Sequence, residues 1–259
     1  MIIFQYDQTF EGLLTSLFDA YLLKRFPDEL LAPAEPLPLF HEEVHAVVSD
    51  NEKSMRVWRA VARKLTPQAL RGVVHCWLSE SAETPLLLLR FLQRVVDAPH
   101  GIETNYADPV VLAFWQLDKN VRYETNRVLQ FMRFQKTADG IYFGMMEPRY
   151  NVFPLTTDHF SNRFADQPWV IYDGMRNYGF RYDGQDVTEI TLSGTLPFSA
   201  ADGGRLDSSL LDKDESLFQE MWREYFKAIS IRERLNPVKQ RKDMPVRFWK
   251  YLTEKGGHP

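Results

Sequence analysis

Cysteine is nearly absent from this chain of 259 residues: Cys76 stands alone. One thiol builds neither an intrachain disulfide nor a cysteine-ligated zinc or iron–sulfur site, so no cofactor is expected in this chain, and a reducing, cytoplasmic setting fits. Apolar runs are short: LLLL at 86–89 is interrupted by Arg90 and Arg94. The opening MIIFQYDQTF lacks the basic-then-apolar order of a secretory signal, so no membrane association is expected. Glycine-rich phosphate loops of the GxGxxG and GxxxxGK[ST] types do not occur, nor does a GxSxG nucleophile elbow. An excess of charge is missing too, since a net charge of −4 argues against unspecific binding of polyanions.

What is present is apolar and aromatic. At 44% hydrophobic and 14% aromatic residues, the chain can bury a core for one large domain or two small ones. Charge is unevenly placed. Residues 200–220 set Arg205 and Lys213 against six carboxylates, whereas residues 221–259 carry ten Lys and Arg against four Asp and Glu. That basic arm is a candidate phosphate-contacting surface, with a solvated helix face as the alternative.

Periodicity predicts an α+β fold with an antiparallel central sheet, helices around it and a helical C-terminal arm. The boundaries are a core over 1–198 and an acidic loop plus basic arm over 199–259. IIFQY reads as a strand leading into a helix through Leu13, Leu14, Leu17, Phe18 and Tyr21. Ser49 and Glu52 have capping-box spacing, which puts a helix start near residue 50 and a strand ending at Val48. Two helices fill 67–97, and Asp108-Pro109 opens a long one to about Gln130. Asp139-Gly140 turns a hairpin within FMRFQKTADGIYFGMMEP, and WVIYD and 179–192 read as strands. Asp214 caps a helix whose Phe218, Met221, Trp222, Tyr225 and Ile229 recur at helical spacing, the stripe expected of a core face. Asn236-Pro237 stops it, and MPVRFWKYLTEK forms the last helix.

HEEVH at 41–45 matches the zincin pattern. On a helix the two imidazoles would rise about 6 Å apart on one face, but on a strand they stand roughly 13 Å apart, beyond a shared ligand distance of about 2 Å. The proline-rich approach and Val47-Val48 favour the strand, and no third ligand follows, so no metal site is expected. LTTDHFSNRF at 155–164 is the better functional candidate. Thr156 or Thr157 would cap a short helix with Asp158 in its first turn, and His159 and Arg163, four apart, would share a face. Asp158 and His159 are candidate acid/base residues, although neighbours on a helix point in different directions. Glu124, three before Arg127 on the long helix, is the third catalytic candidate, with a surface ion pair as its alternative.

Basic and aromatic residues are paired repeatedly: Arg122-Tyr123, Arg133-Phe134, Arg149-Tyr150, Arg163-Phe164, Arg181-Tyr182 and Arg247-Phe248-Trp249-Lys250-Tyr251. Arginine grips phosphate and rings stack on unpaired bases, so a nucleic-acid channel needs both. The alternative is that each ring anchors in the core while its charge stays in solvent.

Taken together, YDQTFEGLLTSLFDAY, ETNRVLQFMRF, LTTDHFSNRFADQPWVIYDGMRNYG and IRERLNPVKQRKDMPVRFWKYLTE resemble a bacterial family assigned to DNA metabolism or repair. Members of that family are encoded beside a radical SAM protein and are in some bacteria fused to a uracil-DNA glycosylase-like domain. The resemblance covers nearly the whole chain and carries over Tyr6, Asp7, Glu11, Gly12, Glu124, Arg127, Arg133, Phe134, Asp158, His159, Phe160, Arg163, Phe164, Trp169, Asp173, Arg176, Arg232, Asn236, Pro245, Arg247, Trp249 and Lys250. This chain departs from the pattern at Gln8, where glycine is common, and at Asn126, where histidine precedes Arg127. The resemblance implies DNA processing with a radical SAM partner that carries the iron–sulfur cluster and SAM; it implies no active site.

The leading expectation is therefore a DNA-binding accessory protein with DNA and a radical SAM protein as partners. Arg127, Arg133, Arg163, Arg176, Arg232, Arg247 and Lys250 would hold phosphate and Trp249 would stack on a displaced base. The alternatives are a hydrolase or glycosylase acting on damaged nucleotides through Asp158, His159 or Glu124, and a scaffold whose basic arm grips an acidic protein.

Overall fold

Ile3 and Phe4 are both buried, so the strand they occupy is covered on its two faces, as parallel strands are. The computed structural model describes residues 1–99, 101–192, 198–199, 203–229 and 236–255. It divides into two compact units, 1–122 and 123–259. The boundary expected at residue 199 falls inside the second. Among the described residues no helix is long and apolar enough to cross a membrane.

In the first unit, β1 (Ile2–Gln5) runs into α1 (Phe10–Leu23) and lies between β2 (Glu29–Leu31) and β3 (Glu43–Ala46), parallel to both. HEEVH is thus extended at its end, as its flanks predict. His45 Nε2 meets Asp19 Oδ2 at 3.1 Å while His41 Nδ1 meets the Pro38 carbonyl at 2.8 Å, so the two rings serve different partners. The strand stops at Ala46, where pairing with Gln5 ends. The next helix, α2 (Asn51–Ala62), is capped by Asp50, which accepts from Lys53 N at 2.9 Å. Ser49 is not the cap because its hydroxyl donates to Asp7 Oδ2 at 2.7 Å. α3 (Pro67–Trp77) and α4 (Thr84–Asp97) follow, then α5 (Pro109–Phe131), where Asp108 Oδ1 accepts from Val110 N at 2.7 Å in the predicted cap. Phe91 and Phe114 stack in the core, and Cys76 is buried there, with burial pushing its thiol pKa up and away from nucleophilic use.

Two glycine positions explain the turn after β1. A Cβ on Gly12 would stand 2.2 Å from Asp7 Oδ1, so only glycine lets that carboxylate reach Thr9 and Ser49. Gln8 has φ of 59°, a left-handed conformation that costs a side-chain-bearing residue about 1–2 kcal/mol. A glycine at that position, as the resembled pattern expects, would have a backbone reason. Gln8→Gly is expected to raise stability by about 0.5–1 kcal/mol, the relieved strain less the extra freedom of the unfolded chain. An unchanged or lower urea midpoint would count against this.

The second unit contains a five-stranded sheet in the order β4 (Gln135–Lys136), β5 (Tyr142–Met146), β6 (Trp169–Asp173), β7 (Tyr178–Tyr182), β8 (Val187–Ile190). The hairpin at Asp139-Gly140 is as predicted, with Gly140 at φ of 84°. The antiparallel expectation fails in both sheets: the three-stranded sheet is wholly parallel, and here β5 and β6 are parallel, so the five-stranded sheet is mixed. A parallel pair needs a crossover, and residues 147–168 supply it with a 3₁₀ turn at Phe153–Leu155 and the helix α6 (Thr157–Arg163). After β8 come the short antiparallel pair β9 (Phe198–Ser199) and β10 (Arg205–Leu206), then α7 (Glu215–Ile229) and α8 (Pro237–Asp243). Asn236 caps α8, accepting from Lys239 N. The last predicted α-helix is instead two 3₁₀ segments, Val246–Tyr251 and Thr253–Lys255.

One reversal matters for function. The α7 stripe read as core is open to solvent, with Phe218 61%, Trp222 41% and Tyr225 53% exposed. Helical spacing shows that a face is apolar and does not show what covers it.

Candidate functional site

LTTDHFSNRF folds as expected around Phe160, which is buried and packs edge-on against Phe134 and Trp169. Thr156 occupies the cap position without capping; its hydroxyl donates to the Phe153 carbonyl at 2.8 Å. Asp158 and His159 are both exposed, and no hydrogen bond joins them. Arg163 lies over the Phe164 ring at 5.7 Å and has no carboxylate partner among the described residues. The stretch is a surface helix presenting His159 and Arg163, without acid/base geometry.

Glu124 is different: it is 2% exposed and saturated. Arg149 N donates to Oε1 at 2.8 Å, Arg247 donates to Oε2, and Arg127 pairs with Oε2 at 3.5 Å. Both oxygens of this buried carboxylate are engaged, and Glu124 gathers donors from α5, the β5–α6 connection and the C-terminal segment. Arg176 secures that connection from the other side, donating to the Pro148 and Arg149 carbonyls and to the fully buried Asp173 at 2.9 Å. Burial pushes the Asp173 carboxyl up despite Arg176.

Arg133 and Lys250 are similarly engaged. Arg133 grips Glu254 bidentately at 2.6 and 3.2 Å, and Trp222 Nε1 donates to the same carboxylate at 2.9 Å. Lys250 at 2.5 Å and Tyr251 at 2.7 Å share Glu147 Oε2. Burial alone would raise the pKa of Glu147 and Glu254, yet these donors hold both carboxyls below the ordinary value of 4.5. Their contribution to stability is therefore complete above about pH 4.5 and is lost as pH falls through the depressed folded values. Glu254→Gln is expected to flatten the acid limb of a stability-against-pH curve; an acid limb as steep as that of the wild type would contradict the assignment. Trp249 donates to the Met244 carbonyl at 3.0 Å and lies under Lys255, while Arg232 is outside the described residues.

Of the named phosphate candidates, Arg127, Arg133, Arg176, Arg247 and Lys250 are thus tied to carboxylates of their own unit, and Arg163 is not. The paired rings Tyr150, Tyr182, Phe248 and Tyr251 are buried, the core-anchor alternative.

Sequence reading missed the place where cations converge. A cavity of about 250 Å³ in the second unit is lined by Arg133, Arg205, Arg223 and Lys250, together with Gln135, Gln219 and Tyr251 among others, and among the described residues by no carboxylate-bearing one. Arg205 has no ion-pair partner among the described residues, and Arg223 donates only to the Gln219 carbonyl of its own helix. Arg205 was hidden because its sequence neighbours are acidic; Asp207 caps the turn at Ser208–Leu210 and is not among the lining residues. Asn126, the other departure from the resembled pattern, is exposed on α5, away from buried Glu124. A true Asp–His contact does occur, in the first unit, where His75 Nδ1 meets buried Asp118 at 2.6 Å. Asp118 also holds Arg122 Nε at 2.9 Å, so the pair ties α3 to α5.

No curated protein and no solved structure matches the chain. A family profile described as a domain of unknown function, DUF4130, matches residues 82–254. That span takes in the cation-lined cavity, the Glu124 network and α6, and covers well over half of the sequence: the chain belongs to the DUF4130 family.

Proposed function

We propose that this protein binds nucleic acid through its second unit and serves as a DNA-binding accessory protein to a radical SAM partner. The observation that carries the reading is the cation-lined cavity, where four Lys and Arg side chains meet without a lining carboxylate among the described residues. Guanidinium forks suit phosphate oxygens, and among the described residues Arg205 and Arg223 have no ion-pair partner. Arg133 and Lys250 line the same space from positions fixed by Glu254 and Glu147. The partner enters through the resemblance to proteins encoded beside a radical SAM enzyme, and it would supply the cluster and SAM. Among the described residues no geometry favours catalysis by this chain itself, since Asp158 and His159 are exposed and not joined to each other and both Glu124 oxygens are engaged.

The test is fluorescence anisotropy with single-stranded and duplex oligonucleotides at low and moderate salt. Binding that weakens as salt rises is expected, because each neutralised phosphate releases counterions. Absence of binding at low salt, with the partner present or not, overturns the reading.

A further inference from the structure

Beside the cation-lined cavity lies a second opening, a groove of about 770 Å³. Its walls carry the rings of Phe134, Tyr142, Phe218 and Trp222 and the amides of Gln130 and Gln219. Arg133, Gln219 and Thr253 line both spaces, so the two adjoin. α7 forms their common wall: Phe218 and Trp222, four apart, face the groove, and Gln219 and Arg223 line the cavity on the adjacent ridge. The exposed apolar face of α7 thus borders cations on one side. Glu215 also lines the groove, but its oxygens already accept from Lys136 N and Gln219 Nε2, at 3.0 and 2.9 Å.

Resting on the nucleic-acid reading above, we infer that this groove holds one unpaired base of a DNA strand while the adjoining cavity holds its phosphate. An aromatic box with two amides offers stacking and edge hydrogen bonds, the two things a base brings once it leaves a duplex. Its volume lies within the range of small-ligand sites, about 300–1,000 Å³. A protein helix would fill the apolar face and would not answer the guanidinium groups of Arg205 and Arg223 beside it, which have no ion-pair partner among the described residues. A strand answers both. The Phe134 wall continues through Phe164, edge-on at 5.4 Å, to the unpaired Arg163, which offers a neighbouring phosphate a cation beyond the groove.

The experiment compares three labelled duplexes that differ at one position: fully paired, carrying one unpaired base, and carrying the same bulge without its base. The unpaired base is expected to bind about tenfold more tightly than either other duplex, the scale of one base–aromatic stack. Phe218→Ala should abolish that preference and Phe218→Tyr should retain it, and neither should shift the unfolding midpoint because the ring is exposed. Arg205→Ala/Arg223→Ala should weaken all three duplexes and flatten their salt dependence. Equal binding of the three duplexes by the wild type overturns the base assignment and leaves the DNA-binding reading standing. No binding to any of them overturns both. A free deoxynucleoside monophosphate that displaces the bulged duplex as completely as unlabelled strand does would overturn the strand as occupant.

Discussion

Replacing Glu124 with alanine is expected to destabilise the protein by about 3–5 kcal/mol in urea unfolding, the usual cost of removing one partner from a buried ion pair. Two arginines, Arg127 and Arg247, and the Arg149 N–H would lose their shared acceptor at a site where the carboxylate is 2% exposed. Glu124→Gln keeps an oxygen for the Arg149 N–H and should lose less. Asp158→Ala, on an exposed side chain with no partner, should stay within about 0.5 kcal/mol. This ordering separates a structural carboxylate, Glu124, from a surface one, Asp158. A stable Glu124→Ala protein that lost a measurable reaction would reverse the assignment.

The second large effect is on binding. In Arg205→Ala/Arg223→Ala the affinity for single-stranded DNA at low salt is expected to fall at least tenfold. The slope of log affinity against log salt should shrink by about 1.4, the counterions of two single-strand phosphates. Arg247→Ala makes the contrast. It should lower stability through Glu124 and leave the salt slope near that of the wild type, because Arg247 is not among the residues lining the cavity. If Arg247→Ala flattened the slope and the Arg205/Arg223 pair did not, phosphate would be held by the C-terminal segment.

The sequence made local chemistry legible. Asp108-Pro109 announces the start of α5 because the cap and the first turn are neighbours, and Asp139-Gly140 announces the hairpin because the turn needs a glycine at positive φ. Ser49 was a reasonable cap by spacing, but its hydroxyl is claimed by Asp7, 42 positions away. Long-range geometry was not legible. The parallel pairing of β5 with β6 depends on a crossover whose direction no local pattern fixes, and Glu124 finds Arg247 123 residues downstream. The candidate site followed the same rule. The phosphate candidates, drawn from the Arg–aromatic pairs and the basic arm, prove mostly to be tied to carboxylates, although Arg133 and Lys250 among them do line the cavity. Arg205, within an acidic stretch, lines the cavity from β10, where it pairs with Ser199 of β9, a long-range placement that its sequence neighbours do not announce. The periodicity of α7 correctly gave an amphipathic helix and wrongly suggested that its apolar face was covered.

The most direct test is photocrosslinking of the protein to single-stranded DNA carrying one 5-bromouracil, followed by mass spectrometry of the digested adduct. The expected result is label on the α7 peptide that carries Phe218 and Trp222, competed away by unlabelled strand and absent from Phe218→Ala. Label confined to α6 around His159, or to the segment around Trp249, would contradict the placement of the strand along α7.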